Sequence, residues 1–181
     1  MNNFYDFTGG TSGNWLITSM HTIAGPSLAS VPFLKISQGN LTSAGEGSWT
    51  LKGFTSNVRY VEKSEKEKLN AIQPGLGRPE AEYAALIPIK KNNSWWELAQ
   101  DERRKIFEHD SRHTEIGLKY LPQIARRLHH CRDIGQPFDF LTWFEFAEPD
   151  MEYFDELLYK LRETTEWQFV EREIEIRLVK A

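Results

Sequence analysis

Three strongly patterned segments near the C-terminal end constrain the fold of this chain more than any other feature. Phe138 to Phe146 is rich in aromatic residues and predicts a strand. Pro149 to Arg162 carries apolar residues at helical spacing and predicts an amphipathic helix, and Trp167 to Val179 predicts a long strand. A strand, a helix and a strand in succession indicate a fold that mixes helices with a sheet.

Two helical patterns precede these segments. Ser94-Trp95-Trp96-Glu97 has the sequence of a capping box, and a helix from about Trp95 to His109 is predicted to follow it. A second helical pattern covers Ile116 to Cys131, and Pro122 inside it predicts a kink or a fresh helix start.

The first half of the chain is patterned more weakly. Residues 1–13 are rich in Asn, Gly, Ser and Thr and predict a mobile arm, and residues 37–47 predict a loop. The remaining predicted elements are a strand at Trp15 to Ile23, one or two strands at Ser48 to Val61 with Gly53 as a turn or bulge, a helix at Lys63 to Ile72, and a strand at Glu80 to Ile89.

Both halves therefore consist of strands combined with helices. The predicted fold class is α+β, with two ferredoxin-like modules side by side in an arrangement of the dimeric α/β-barrel type. We place the N-terminal module at residues 1–92 and the C-terminal module at residues 93–181.

Composition argues against several classes of protein. The 181 residues carry a net charge of −4 with no concentrated basic stripe, so a nucleic-acid partner is not expected. No apolar run is long enough to span a bilayer, and the first residues lack the basic and apolar regions of a signal peptide, so no membrane partner is expected. The single cysteine, Cys131, fits a cytoplasmic location. The aromatic content of 13% indicates a wide apolar cavity or a large interface.

Familiar catalytic patterns are absent from the sequence. The five histidines have no zinc-protease spacing, and there is no nucleophile elbow and no phosphate-binding glycine loop. His129-His130-Cys131 resembles a metal site by composition, but adjacent helix positions point in different directions. We interpret these three residues as a surface helix end.

His113 differs from the other histidines because of the residues that follow it. The segment from residue 113 reads His-Thr, then a Tyr-Leu pair, then Arg-Arg-Leu-x-His, and it is followed by a Gly and the strand Phe-Leu-Thr-Trp-Phe-Glu. A histidine before an amphipathic helix, taken alone, is more often structural. The combination, together with Thr165-Glu166-Trp167-Gln168-Phe169, resembles the chlorite dismutase family over about residues 83–181.

This resemblance implies a haem b oxidoreductase that converts chlorite to chloride and dioxygen. In that family the histidine at the head of the motif binds the haem iron, and this residue is His113 here. The arginine thirteen positions later, Arg126, matches the one that lies over the opposite haem face. Glu166 matches a carboxylate held against the ligand histidine, and Thr142 and Phe144 match residues that line the pocket beside the arginine.

The resemblance carries over less in the first half of the chain. Asn57, Tyr60 and Lys91 resemble residues that contact the haem propionates, and Gln73 resembles one that pairs with the arginine in the short branch of the family. The short chain resembles that branch, which is dimeric. The implied partners are therefore a small anion, chlorite, and a second copy of the chain.

Three other interpretations remain open at this point. A coprohaem decarboxylase of the same superfamily would share the histidine but lack the arginine, so Arg126 argues against it. A haem-binding or haem-sensing protein without turnover would use the same ligand and cationic pocket, and only oxygen release from chlorite separates it from the enzyme. A haem-free dimeric α/β barrel with a structural His113 would give no Soret band on addition of haem.

Overall fold

The structure is a computed structural model that describes residues 3–40, 42, 45–55 and 75–181. The predicted helix at Lys63 to Ile72 and the end of the predicted strand at Val61 lie outside the described residues.

The described residues form eight antiparallel strands in one closed sheet. The strands are β1 Phe4–Gly10, β2 Trp15–Ala24, β3 Phe33–Gln38, β4 Trp49–Phe54, β5 Tyr83–Lys91, β6 Ala125–His130, β7 Phe140–Phe146 and β8 Val170–Lys180. Their order around the sheet is β1-β3-β2-β8-β5-β7-β6-β4. The two halves of the chain meet along β2 and β8 through a long register, and along β4 and β6 through the pair Phe54 and His130.

Helices connect the strands of the second half. The α-helices are α1 Asn93–Glu97, α2 Gln100–Arg104, α3 His113–Leu118 and α4 Met151–Arg162. A π-helical segment covers Lys105–Asp110, and 3-10 helices cover Arg132–Ile134, Glu148–Asp150 and Thr165–Phe169. Within the described part of the chain, no helix combines the length and the apolar character that crossing a bilayer requires.

Two apolar cores lie on opposite faces of β5 and β7. The inner core fills the inside of the closed sheet and includes Phe7, Trp15, Leu34, Leu51, Leu86, Leu141, Trp143 and Ile176. The outer core lies between the sheet and the helices and includes Ile87, Tyr120, Ile124, Phe144, Phe146, Phe154, Leu157 and Leu161. Each fully buried side chain of this kind contributes about 1.5–3 kcal/mol relative to an exposed one.

The prediction of a mobile arm at residues 1–13 is wrong. Residues 4–10 form β1, which pairs with β3 on one side and β4 on the other. Phe7 is 1% exposed because it points into the inner core. The glycines that suggested flexibility serve packing, since the indole of Trp49 lies directly against Gly9, where a side chain would collide with it.

The predicted helix from Ile116 to Cys131 is also wrong beyond Leu118. Residues 125–130 form β6, which pairs with β7 along its whole length. The interpretation of residues 129–131 as a surface helix end fails with it, because His129 and Cys131 are buried. Alternate residues of β6 point into the inner core, a period of two that a helix does not have.

The helix predicted from Trp95 to His109 is divided into α1, α2 and the π-helical segment. Its N-cap is Asn92, whose side chain accepts from the N–H of Trp95 at 3.1 Å, and not Ser94. Strands close to those predicted at Trp15, Glu80 and Phe138, and the helix after Pro149, are present with bounds shifted by a few residues. The last strand begins later than predicted, at Val170, and a 3-10 helix takes the place of its start.

The mixture of helices with an antiparallel sheet agrees with the predicted class, while the two ferredoxin-like modules remain a prediction. The same holds for the boundary between residues 92 and 93. β5 ends just before that boundary and lies between β7 and β8 of the second half.

Candidate active site

The first residue of α3 and the 3-10 helix before β8 bring His113 and Glu166 together. The Nδ1 atom of His113 lies 2.7 Å from Oε2 of Glu166, and the glutamate side chain is 6% exposed. With a carboxylate as acceptor, Nδ1 carries the proton, so the Nε2 atom has its lone pair available. The imidazole is therefore held in the tautomer that can bind a metal through Nε2.

Lys91, at the end of β5, completes a buried cluster around the same carboxylate. Its Nζ atom lies 2.8 Å from Oε1 of Glu166 and 4.4 Å from the centre of the Trp95 ring. Burial lowers the pKa of Lys91, although the negative charge of Glu166 opposes that change. Burial alone would raise the pKa of Glu166, but the hydrogen bond from His113 and the charge of Lys91 hold it below its ordinary value. The carboxylate is ionised and has a partner on each oxygen.

Two aromatic rings fix the plane of the imidazole. Phe107, in the π-helical segment, stacks on His113 with 4.3 Å between ring centres and 21° between planes. Trp167 lies nearly parallel to the same ring at 6.4 Å. Sequence reasoning did not identify Phe107, because a π-helical turn has no pattern of its own in the sequence.

Ser111, two residues before His113, also contacts Glu166. The Glu166 backbone N–H donates to the buried Oγ of Ser111 at 2.8 Å. Between Ser111 and His113, Arg112 has φ 52° and ψ 38°, the left-handed region that favours glycine. The Arg112 guanidinium makes two hydrogen bonds to Glu115, of 2.6 and 2.7 Å.

The helix-facing side of β6 and β7 forms the opposite wall of the site. In the register of the two strands, Arg126 pairs with Phe144 and Leu128 pairs with Thr142. Directly paired residues share a face, and Phe144 belongs to the outer core, so all four point toward the helices. Leu128 is 44% exposed, which is unusual for a large apolar side chain on a covered face. An accessible space therefore remains beside it.

Gly117 links the two walls. A Cβ atom on this residue would lie 2.7 Å from Nη1 of Arg126, so the guanidinium rests directly on the backbone of α3. Gly117 follows His113 by four positions and thus lies on the same helix face. The guanidinium and the imidazole therefore lie on the same side of α3. Burial lowers the pKa of Arg126, but a guanidinium keeps its charge at neutral pH.

Arg127 points to the other face of β6. Its Nη1 atom lies 3.4 Å from the hydroxyl of Tyr5, and its guanidinium lies 5.6 Å from the centre of that ring. Only one of the two adjacent arginines borders the site.

Three of the residues singled out from the sequence cannot be placed. Asn57, Tyr60 and Gln73 lie outside the described residues. The structure thus brings His113, Glu166 and Lys91 into one cluster, and it places Arg126, Thr142 and Phe144 together on the helix-facing side of β6 and β7.

Comparison with known proteins places this geometry in a family. The family model described as chlorite dismutase matches residues 19–180. A curated relative, the chlorite dismutase of Ideonella dechloratans, is 31% identical over 119 residues; the match covers 65% of this chain but 40% of that protein.

Solved structures agree with this assignment. A dimeric chlorite dismutase from Nitrobacter winogradskyi is 52% identical, with a TM-score of 0.91 and coverage of 98% of this chain and 99% of that one. A mutant chlorite dismutase from Candidatus Nitrospira defluvii is 26% identical, with a TM-score of 0.61, 82% of this chain and 56% of that chain covered. Because the family model spans almost the whole sequence, this chain belongs to the chlorite dismutase family.

Proposed function

We propose that this chain is a haem b enzyme that converts chlorite to chloride and dioxygen, with His113 as the iron ligand and Arg126 as the catalytic residue. The observation that carries the proposal is that the His113 imidazole, held by Glu166, and the Arg126 guanidinium, packed against Gly117, lie on the same side of α3. The family and the names of its members supply the substrate.

The residues present fit a haem better than a bare metal ion. Among the described residues, no cluster of three or more His, Cys, Asp or Glu side chains could hold an ion by itself. A haem iron needs one protein ligand, because the porphyrin supplies the other four nitrogens. The partly exposed Leu128 leaves apolar surface for a porphyrin to cover.

His113 would bind the iron through Nε2, and Glu166 would hold its other nitrogen. A carboxylate that accepts the Nδ1 proton makes the imidazole a stronger electron donor. Lys91 shares this carboxylate, so it sets how strongly Glu166 attracts the proton. This role differs from the propionate contact suggested by the sequence, since the Lys91 ammonium is directed to Glu166 in the interior.

Arg126 would hold the anionic substrate and the oxyanion released from it. When bound, the haem supplies a redox-active iron at which the Cl–O bond of chlorite breaks. A guanidinium is permanently charged, and its field is stronger beside the apolar ring of Phe144 than it would be in water. Thr142 and Phe144 keep the pocket small, which limits escape of the oxyanion before the O–O bond forms.

Residues outside the described ranges complete the proposal through the resemblance alone. Asn57 and Tyr60 would contact the haem propionates, and Gln73 would pair with Arg126. We propose a homodimer in the cytoplasm, supported by the dimeric relative from Nitrobacter winogradskyi and by the single cysteine.

The order of the strands supports the predicted modules. The first half of the sheet has the strand order β4-β1-β3-β2, and the second half has the order β8-β5-β7-β6. When the strands of each half are numbered from one, both orders are 4-1-3-2. The second half adds helices between β5 and β6 and between β7 and β8, as in a ferredoxin-like unit.

The test is oxygen release by the haem-loaded protein. Purified protein titrated with haem b should develop a Soret band, and addition of chlorite should release one dioxygen per chloride formed. His113→Ala should weaken haem retention or change the axial ligand. A Soret band without oxygen release would establish a haem-binding protein without turnover, and no Soret band would make His113 structural.

A further inference from the structure

The turn that enters α3 contacts Glu166 at a point distinct from the imidazole. Ser111 is buried, and its Oγ atom accepts the Glu166 backbone N–H at 2.8 Å. Ser111 is in turn fixed by its own N–H, which donates to the carbonyl of Ile106 at 2.9 Å. The hydroxyl therefore ties the 3-10 helix that carries Glu166 to the turn that carries His113.

Arg112 gives this turn its shape. A residue with a side chain in the left-handed region is strained by about 1 kcal/mol, so the conformation requires support from its surroundings. The two hydrogen bonds to Glu115 supply part of that support from the first turn of α3. The residues on both sides of Arg112 reach Glu166, one through its backbone and one through its carboxylate.

We propose that Ser111 is a positioning residue, which sets the orientation of the iron ligand by holding the backbone of Glu166. This inference rests on the proposed function, since it assigns His113 the ligand role. Glu166 is fixed at four atoms: its N–H by Ser111, its carbonyl oxygen and Oε1 by Lys91, and Oε2 by His113. Without the first contact the 3-10 helix can shift, and the carboxylate no longer meets Nδ1 at 2.7 Å.

The chain offers a matched control next to the site. Thr114 also carries a hydroxyl beside His113, but its Oγ1 donates to Glu108 at 2.6 Å and not to Glu166. Thr114→Val removes a hydroxyl from the residue next to His113 and leaves the Ser111 contact intact. Ser111→Ala removes the acceptor of the Glu166 N–H.

Two measurements on the haem-free protein test the contact independently of haem. In Ser111→Ala we expect the Glu166 amide to exchange with deuterium about tenfold faster, because a buried donor loses its acceptor. We also expect the hydrogen-bonded Nδ1 proton of His113 to exchange faster by NMR. Both signals should stay as in the unaltered protein in Thr114→Val.

A third measurement uses the haem-loaded protein. The ferric/ferrous potential of Ser111→Ala should rise, as expected when the imidazole loses part of the electron donation that Glu166 provides. An unchanged Glu166 amide in Ser111→Ala would refute the contact. Faster amide exchange with an unchanged Nδ1 proton would show that Ser111 supports only the backbone, and the positioning role would fall. If the unaltered protein does not bind haem, the proposed function is refuted. The two measurements on the haem-free protein still test the Ser111 contact in that case.

Discussion

The two faces of β6 are built from similar residues but end in different surroundings. On the helix side, Arg126 rests on Gly117 and Leu128 stays 44% exposed, so packing there is incomplete. On the interior side, His129 lies edge-on between Tyr5 and Phe7, with ring centres 5.1 and 5.0 Å away. The first face leaves Leu128 accessible to a ligand, and the second closes around His129.

This difference shows that the face of the strand on which a residue lies, and not the residue type, determines its surroundings. Two pairs of adjacent identical residues illustrate it. Arg126 and Arg127 are identical, yet only the first borders the site. His129 has the same side chain as its neighbour His130, but it is sealed in the inner core at 2% exposure. Four changes distinguish the two faces, in order of expected size.

The largest effect should come from His129 under acid conditions. Burial, together with the charges of Arg127 and His130, lowers the pKa of His129 to about 4, although the bond to the Leu141 carbonyl opposes this. As the pH falls from 6.5 toward 4, His129 becomes protonated in the unfolded chain but stays neutral in the folded protein. The free energy of unfolding should fall by about 3 kcal/mol over this window, and His129→Leu should remove that loss.

Urea unfolding at steps between pH 8 and pH 4 measures this effect. Glu166, whose pKa is lowered, contributes stability that is fully present above about pH 4.5 and is lost as the pH falls further, in both proteins. The difference between the two curves therefore isolates His129. Parallel curves for the unaltered protein and His129→Leu would mean that the surroundings of His129 tolerate a charge.

The next effect separates the two arginines. Arg126→Ala should lower chlorite turnover by about tenfold or more, equivalent to about 1.4 kcal/mol, because the positioned charge is lost from the site. Arg127→Ala is the matched control, and its turnover should stay close to that of the unaltered protein. Oxygen-electrode traces with chlorite provide the measurement. If Arg127→Ala lost chlorite turnover and Arg126→Ala kept it, the assignment of the two arginines to the two faces would be reversed.

A change at Leu128 tests whether a ligand covers the helix-facing side of β6. Leu128→Ala should lower the stability of the haem-free protein by about 1 kcal/mol or less, because the side chain is 44% exposed. Haem affinity should fall by about fivefold, near 1 kcal/mol, if a porphyrin covers that side chain. Chemical unfolding and haem titration give the two values. A large loss of stability without haem would place Leu128 in a core instead.

The smallest effect should come from Gly117. Gly117→Ala places a methyl group 2.7 Å from Nη1 of Arg126 and should displace the guanidinium. Turnover should fall by about threefold, or ~0.7 kcal/mol, while haem binding persists. The same change in an Arg126→Ala background should have no further effect, as a double-mutant cycle shows for coupled residues. Additive losses would indicate that Gly117 acts independently of Arg126.

The sequence predicted several elements of the second half of the molecule well. The helix after Pro149 follows its expected period because it has a single apolar face. The strand near Phe140 was predicted from its aromatic residues, although both of its faces are apolar. β6 was not predicted because Arg126 and Arg127, and likewise His129 and His130, place the same residue type on both faces of the strand. The sequence therefore shows no alternation of polar and apolar residues. β1 was not predicted because its glycines and threonine are typical of a loop. The contact between Gly9 and Trp49, which explains a glycine in this strand, forms only in the folded protein.

The site could be predicted in part for a related reason. The resemblance named His113 and Glu166, which the fold brings within 2.7 Å although they lie 53 residues apart. It could not reveal that Lys91 meets Glu166 across 75 residues, or that Ser111 holds its backbone. These contacts depend on tertiary structure, which no local pattern encodes.

The placement of β5 has a consequence for how this protein loses its structure. Six consecutive residues of β5, from 84 to 89, are buried, because Ala84 and Leu86 belong to the inner core while Ala85 and Ile87 belong to the outer core. A single strand therefore serves as the common wall of both. Because loosening of one core would disturb the strand that the other packs on, we expect both cores to unfold in one cooperative transition.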